Sequence, residues 1–344
     1  GESNFYLRAG AGYQLRPTVD MVWSPSFKRK GVNMDVYAHH KSFIGDYLTI
    51  APVDLEFPYV ELGKLPEGVN GQHKWFGYDM LTKAGAVVRH DWEQIALDYS
   101  AGYFGMAQKD RQWARGYNAL DASFGLQTKP DDRESMVVEL DVDYRFGEDK
   151  VMGSELREYL GNMNLSLRPF WVENHRMSFD VESNVASYTG VYQLVGGDIS
   201  MIPRFVFIRE RLTADLGLRV SKMLTNDKIK EQVVYPDVNF TYILFPKSLK
   251  FYFRATGGGE FETYSSTIAS NHHITCLMPQ DMLGYKIERI GLTAGFDGRI
   301  TDKFSYNVRG GYANYANLRH YQVEVTDTPW FTMTYLGCQK WFAA

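Results

Sequence analysis

The sequence predicts an all-β chain folded as a transmembrane antiparallel up-and-down β-barrel of about sixteen strands. Three observations carry this. Apolar and polar residues alternate with a period of two along most of the chain, and helical periodicity is nearly absent. The alternating stretches run to ten or more residues, against about five or six for an ordinary strand. Long connections alternate with tight turns, as in a barrel with extracellular loops on one rim and short periplasmic turns on the other.

Glu134–Gly147 shows the alternation most clearly. Met136, Val138, Leu140, Val142, Tyr144 and Phe146 form one set, and Val137, Glu139, Asp141, Asp143 and Arg145 the other. The second set holds three acids and an arginine, which a dry core would leave unpaired. Phe5, Leu7, Ala9, Ala11 and Tyr13 repeat the design over Tyr6, Arg8, Gly10, Gly12 and Gln14. A soluble sandwich also has one apolar and one polar face. Strand length, aromatic residues at the ends of the apolar face, and glycines mixed with charges of both signs on the polar face favour lipid on one side and water on the other.

In chain order, strand patterns at Phe5–Tyr13, Val19–Trp23 and Val32–Ala38 lead to a proline-spaced segment, 42–74, read as a loop. Patterns resume at Trp75–Arg89, Ile95–Tyr103 and Leu120–Leu126, followed by Glu134–Gly147. A second loop is read at 148–159, where charges crowd together. A hairpin around Trp171–His175 follows, then strands ending at Ile208 and starting at Leu212. Val238–Leu244 turns at Pro246–Ser248 into Leu249–Ala255. A third loop is read at 263–287, a hairpin at Ile290–Tyr312, a loop at 316–329 and a last strand at Trp330–Phe342. All of this is read as a single barrel domain over 1–344, with long loops after the third, seventh, thirteenth and fifteenth strands.

Composition excludes several classes. Charged residues are 23% and aromatic residues 15%, so the chain is not disordered. A net charge of −4 argues against nucleic acid as a partner. The sequence holds no run of about 18 apolar residues, hence no transmembrane helix, whereas a barrel strand needs only about 9–11 residues. No signal peptide is visible; the chain opens inside a strand pattern, as a mature form would. Cys276 and Cys338 make no disulfide framework and read as separate thiols.

Candidate functional residues lie on the polar faces. Arg8, Asp98, Asp141, Asp143, Arg145, Arg168, Asp180, Asp215, Arg219, Arg254 and Arg309 would line a pore and set a transverse field across it. The plainer reading is that arginines and acids pair in a solvated wall and contribute little. His272, His273 and Cys276 are donor types that accept transition metals, but no second ligand group has motif spacing, so no metal and no cofactor are expected. His39 and His40 carry even less. Asp54, Glu56 and Glu61 read as a solvated acidic loop, with a constriction inside the lumen as the alternative. No nucleophile elbow, phosphate loop or zincin motif is present, so no enzyme is expected.

Asn4–Pro25, Met34–Tyr47, Val233–Ser265 and Ile300–Tyr315 resemble the TonB-dependent-receptor-like outer-membrane barrels of the Bacteroides group. The resemblance covers most of the chain, but it rests on strands and turns and carries no functional residue. It implies a β-barrel in the bacterial outer membrane, with lipid and lipopolysaccharide around it and a small polar solute or a surface lipoprotein as partner. No plug segment precedes the first strand here, which speaks against energy-driven import by this chain alone. The expectation is a channel or receptor barrel passing or recognising a small polar solute; the alternative is a non-transporting scaffold that docks a partner through its outer loops.

Overall fold

The structure is a computed structural model, and it describes residues 4–27, 30–50, 72–109, 114–131, 135–151, 154–172, 174–191, 193–224, 233–246, 248–270, 283–301, 303–324 and 330–343. The strands are β1 (Asn4–Gly10), β2 (Thr18–Ser24), β3 (Val32–Ile50), β4 (Gln72–Asp91), β5 (Ile95–Lys109), β6 (Ala114–Thr128), β7 (Val137–Val151) and β8 (Ser154–Val172). They continue as β9 (His175–Gly190), β10 (Leu194–Arg209), β11 (Leu212–Met223), β12 (Val234–Phe245) and β13 (Leu249–Glu262). A short helix, α1 (Tyr264–Ser270), precedes β14 (Gly284–Thr301), β15 (Phe304–Glu324) and β16 (Trp330–Ala343).

Every strand pairs antiparallel with the next, giving one 16-stranded sheet in sequence order. This is the up-and-down barrel topology that the alternation predicts. Among the described residues the sheet is not closed, and β1 and β16 are its two edges.

Strand pairing carries the alternation from strand to strand, because residues opposite one another point to the same face. Tyr99, Phe124, Val142 and Met163 form one such row across β5, β6, β7 and β8, and all four are exposed. On later strands Leu216 is 50% exposed and Val308 59%. Burying one such side chain stabilises by about 1.5–3 kcal/mol. Apolar rows left open on strand after strand therefore call for an apolar solvent outside the sheet. Exposed aromatics stand at the tight turns: Phe27 after β2, Trp92 after β4, Phe245 after β12 and Phe304 opening β15. Such placement at one rim is that of an interfacial girdle.

The expected loops are shorter than the sequence suggests. β7 runs to Val151 and β8 starts at Ser154, so 148–159 is a strand hairpin and not a loop. Its charges misled because they alternate. Glu148 faces Arg157 and Lys150 faces Glu155 across the pair on the outward side, while Asp149 and Glu158 turn inward and are buried. β3 and β4 likewise extend into 42–74, reaching Ile50 and starting at Gln72. β15 and β16 close the gap at 316–329 to residues 325–329. The 263–287 segment contains α1 and the start of β14. The loop acids Asp54, Glu56 and Glu61 and the His272–His273–Cys276 cluster lie outside the described residues.

The only buried apolar cluster among the described residues sits inside the sheet, at its outer end. It brings Phe104, Met106, Tyr117, Leu156 and Tyr188 from the wall together with Phe261, Tyr264, Ile268, Tyr285 and Ile287 from β13, α1 and β14.

Candidate solute path

The inward face changes character along the strands. Asp98, Gly125, Asp141, Asn164, Glu182, Ser200 and Ser221 form one row across β5 to β11. The next row outward is Ser100, Ser123, Asp143, Asn162, Asn184 and Asp198. Two rows further out the face is Phe104, Ala119, Gly147, Glu158 and Tyr188. Polar rows thus give way to aromatic and apolar ones towards the outer end.

Arginines on the polar rows are neutralised locally. Arg145 binds Asp121 through two hydrogen bonds of 2.5 and 2.7 Å. Arg168 pairs with Glu139, and Arg219 with Glu182 at 2.6 Å. Arg204 is the hub of the largest cluster, donating to Asp215 at 2.9 Å and Asp237 at 2.7 Å, with Asp180 at 3.7 Å. Around a guanidinium only 17% exposed, three carboxylates form a shared network and not a solvated surface pair. Asp98, Asp141 and Asp143 face the interior without an ionic partner among the described residues.

Beyond these rows the interior is filled. Glu158, 1% exposed, accepts from Tyr117 Oη at 2.8 Å, Tyr188 Oη at 2.6 Å and the Ser265 backbone N–H at 3.1 Å. Tyr188 Oη in turn accepts from the Tyr264 N–H at 3.0 Å. One carboxylate and one phenol thus satisfy two N–H groups of the first turn of α1, which have no partner within the helix. Tyr264 donates its hydroxyl to buried Asp149, which also lies 3.6 Å from Arg115. From β14, the Tyr285 hydroxyl accepts from Gly197 N–H at 2.9 Å and reaches the carbonyls of Gly197 and Leu224. Gly197 has φ +137, and a Cβ there would stand 1.9 Å from the Asn184 carbonyl oxygen, so only glycine fits this crossing.

A polar cavity of 510 Å³ remains between this filling and the wall. Asn162, Glu182, Asp198 and Arg219 line it from the wall, Gly257–Glu260, Lys286 and Glu288 from β13 and β14, and Ser266 from α1.

Each residue expected to line the path falls on the inward face by register. The structure brings Asp180 and Asp215 together on Arg204, a residue the sequence reading did not single out. Arg204 was hidden because Ile202 and Val206, its neighbours on the same face, are apolar and Pro203 adjoins it. Arg8, Arg254 and Arg309 are exposed on that face, away from the filled outer end. Asp149, Glu158, Tyr188 and Tyr264 were missed because their partners lie 30 to 115 residues away in the sequence. His39 pairs through Nδ1 with Asp20, and His40 bonds Thr82 through Nδ1 and Ser42 through Nε2. Among the described residues no group of three His, Cys, Asp or Glu side chains is placed to hold one.

No protein-family model and no curated protein sequence matches the chain. Solved structures do match in fold. Copper transporter OprC aligns over 99% of this chain and 57% of its own, with TM-score 0.68 and 11% identity. Siderophore receptor PirA from Pseudomonas aeruginosa aligns over 99% and 60%, with TM-score 0.62 and 8% identity. FauA from Bordetella pertussis, the alcaligin outer-membrane receptor, aligns over 98% and 56%, with TM-score 0.59 and 13% identity. The chain therefore spans less than two thirds of each of these proteins. At such identity the likeness shows the fold alone, an antiparallel barrel wall shared with these transporter and receptor structures.

Proposed function

We propose that the chain is the barrel wall of an outer-membrane channel or receptor that passes or recognises a small polar solute. The carrying observation is the two-faced wall: apolar rows stay exposed outside, and charged, hydrogen-bonded rows line the interior. Similar folds support a transport class, since they are those of a copper transporter, a siderophore receptor and an alcaligin receptor. On this reading the chain resides in the outer membrane of a Gram-negative bacterium, embedded in lipid and lipopolysaccharide, and the Bacteroides-group affiliation is part of the same proposal. Arg8, Asp98, Asp141, Asp143, Arg145, Arg168, Asp180, Asp215, Arg219, Arg254 and Arg309 are then the residues that line the path, as one domain over 1–344.

Reconstitution into planar bilayers tests this. Discrete ion conductance is the expected result, and a wall that stays closed to ions under all conditions contradicts free passage. One observation favours a second reading, a docking barrel for a surface lipoprotein: the outer end of the interior is packed around α1. Co-purification of a lipoprotein, lost on deleting 51–71 or 271–282 while conductance is absent, selects that reading.

A further inference from the structure

Near its outer end the sheet forks between β12 and β13. The two strands pair as far out as Asp237 and Thr256, yet β12 reaches on to Val234 and β13 to Glu262. Beyond that point β12 stays with β11, where Pro236 faces Leu218 and Val234 faces Val220. β13 stays with β14, where Gly258 faces Glu288 and Glu262 faces Gly284. Two local causes separate them. Pro236 has no N–H to donate to a neighbouring strand. The pairing of β13 with β14 slips between Thr256 and Gly258, and such a bulge bends the strand that carries it.

Gly257–Glu262 is therefore a strand with one neighbour. Its β14 side is paired, and the backbone N–H and C=O groups of its other side meet no strand among the described residues. A free edge is a template for another strand. This one borders the lumen: residues 257–260 are half-buried or exposed and line the half-open 510 Å³ recess, where a solute can reach them. At about 3.3 Å per residue the edge is about 20 Å long, the span of five or six residues of added strand. Three consecutive glycines, Gly257–Gly259, carry no side chain to hold another backbone away.

The charge around the edge selects among peptides. Glu182, Asp198, Glu260 and Glu288 line the recess against Arg219 and Lys286, four acids to two bases. Arg219 is already held by Glu182 at 2.6 Å. An adjoining cleft shares Asn162, Glu182 and Asn184 and adds Asp141 and Asp143. These acids are spread over several strands, and among the described residues no three are placed to hold one metal ion. Basic side chains spaced along an extended peptide reach them one by one.

We propose that the free edge of β13 at Gly257–Glu262 binds a short extended peptide with basic side chains, which adds to the β13–β14 pair as a third strand. This names the solute of the path proposed above and rests on that reading for its purpose, but it is tested separately. The probe is an end-capped hexapeptide of alternating lysine and valine, added to the whole chain in detergent micelles. The amides of Gly257–Phe261 that are not bonded to β14 exchange rapidly in the free protein. The peptide at ten times its Kd slows them about tenfold. The same peptide N-methylated at alternate amides, which keeps its side chains but cannot complete the ladder, gives no slowing. A glutamate-for-lysine peptide binds at least tenfold more weakly, and Glu260→Lys, at an exposed position, weakens the lysine peptide about fivefold. Slow exchange in the free protein, equal slowing by the N-methylated peptide, or equal binding of the lysine and glutamate peptides overturns the proposal. Conductance of the same preparation separates the two readings. Conductance without peptide protection overturns the peptide site and leaves the channel, and protection without conductance supports the site and counts against free passage.

Discussion

The inner and outer halves of β5 to β9 follow the same alternation but resolve their inward faces in opposite ways. In the inner half, charged side chains stand in a wide interior and pair locally, Arg145 with Asp121 and Arg168 with Glu139. In the outer half, the same face buries Asp149 and Glu158 completely, and each carboxylate is held by tyrosine hydroxyls brought from other strands and from α1. The difference lies in the solvent. A carboxylate in water costs little to leave half-paired, whereas a buried one depends on its donors: Glu158 accepts with both oxygens, and Asp149 meets Tyr264 and Arg115 through Oδ2 while its Oδ1 has no hydrogen-bond partner among the described residues. Outer-half charges therefore specify which segments meet, and inner-half charges pair with near neighbours on the same face.

Substitutions can break this contrast. The largest effect is expected for Glu158→Leu, which leaves Tyr117, Tyr188 and the Ser265 N–H buried without their acceptor. At about 1–3 kcal/mol per stranded group, the outer half loses about 3–9 kcal/mol. Hydrogen exchange then rises over 264–270 and leaves the inner ends of β5 to β9 protected. Arg204→Leu comes next, because it strands three aspartates around a partly buried site, and unfolding in urea from lipid vesicles should show a loss of about 2–4 kcal/mol. Val142→Arg, on the outward face, should cost about 2 kcal/mol in the same measurement if that face meets lipid. Arg145→Gln should cost only about 0.5–1 kcal/mol, since its pair with Asp121 is partly open to water. Asp141→Asn should leave stability unchanged and lower the cation-to-anion permeability ratio of reconstituted protein, read as a shift in reversal potential.

Much of the fold was legible in the sequence because alternation is a local signal. The rows through Asp141 and Val142 follow from residues two apart, and the tight turns at His90–Trp92 and Val172–His175 close hairpins where expected. The 148–159 hairpin was not legible: its inward charges are buried by partners in β6, β9 and α1 that no local pattern announces. Arg204 was obscured in the same way, since its three aspartates come from β9, β11 and β12. The burial of Phe261, Tyr285 and Ile287 follows pairing slips at Gly258 and Glu288, and a glycine-rich strand end reads equally well as a loop. Period-two reasoning thus assigns faces well and through-space pairing poorly.

The most direct test of the account is the solvent on each face of β7. Single nitroxide labels placed in turn at residues 140 to 145, in protein embedded in vesicles, report collision with oxygen, which concentrates in lipid, and with a water-soluble nickel chelate. The account predicts strict alternation: positions 140, 142 and 144 favour oxygen, and positions 141, 143 and 145 favour nickel. If the even positions are shielded from both reagents, as they would be inside a packed globule, the two-faced wall and everything built on it are wrong.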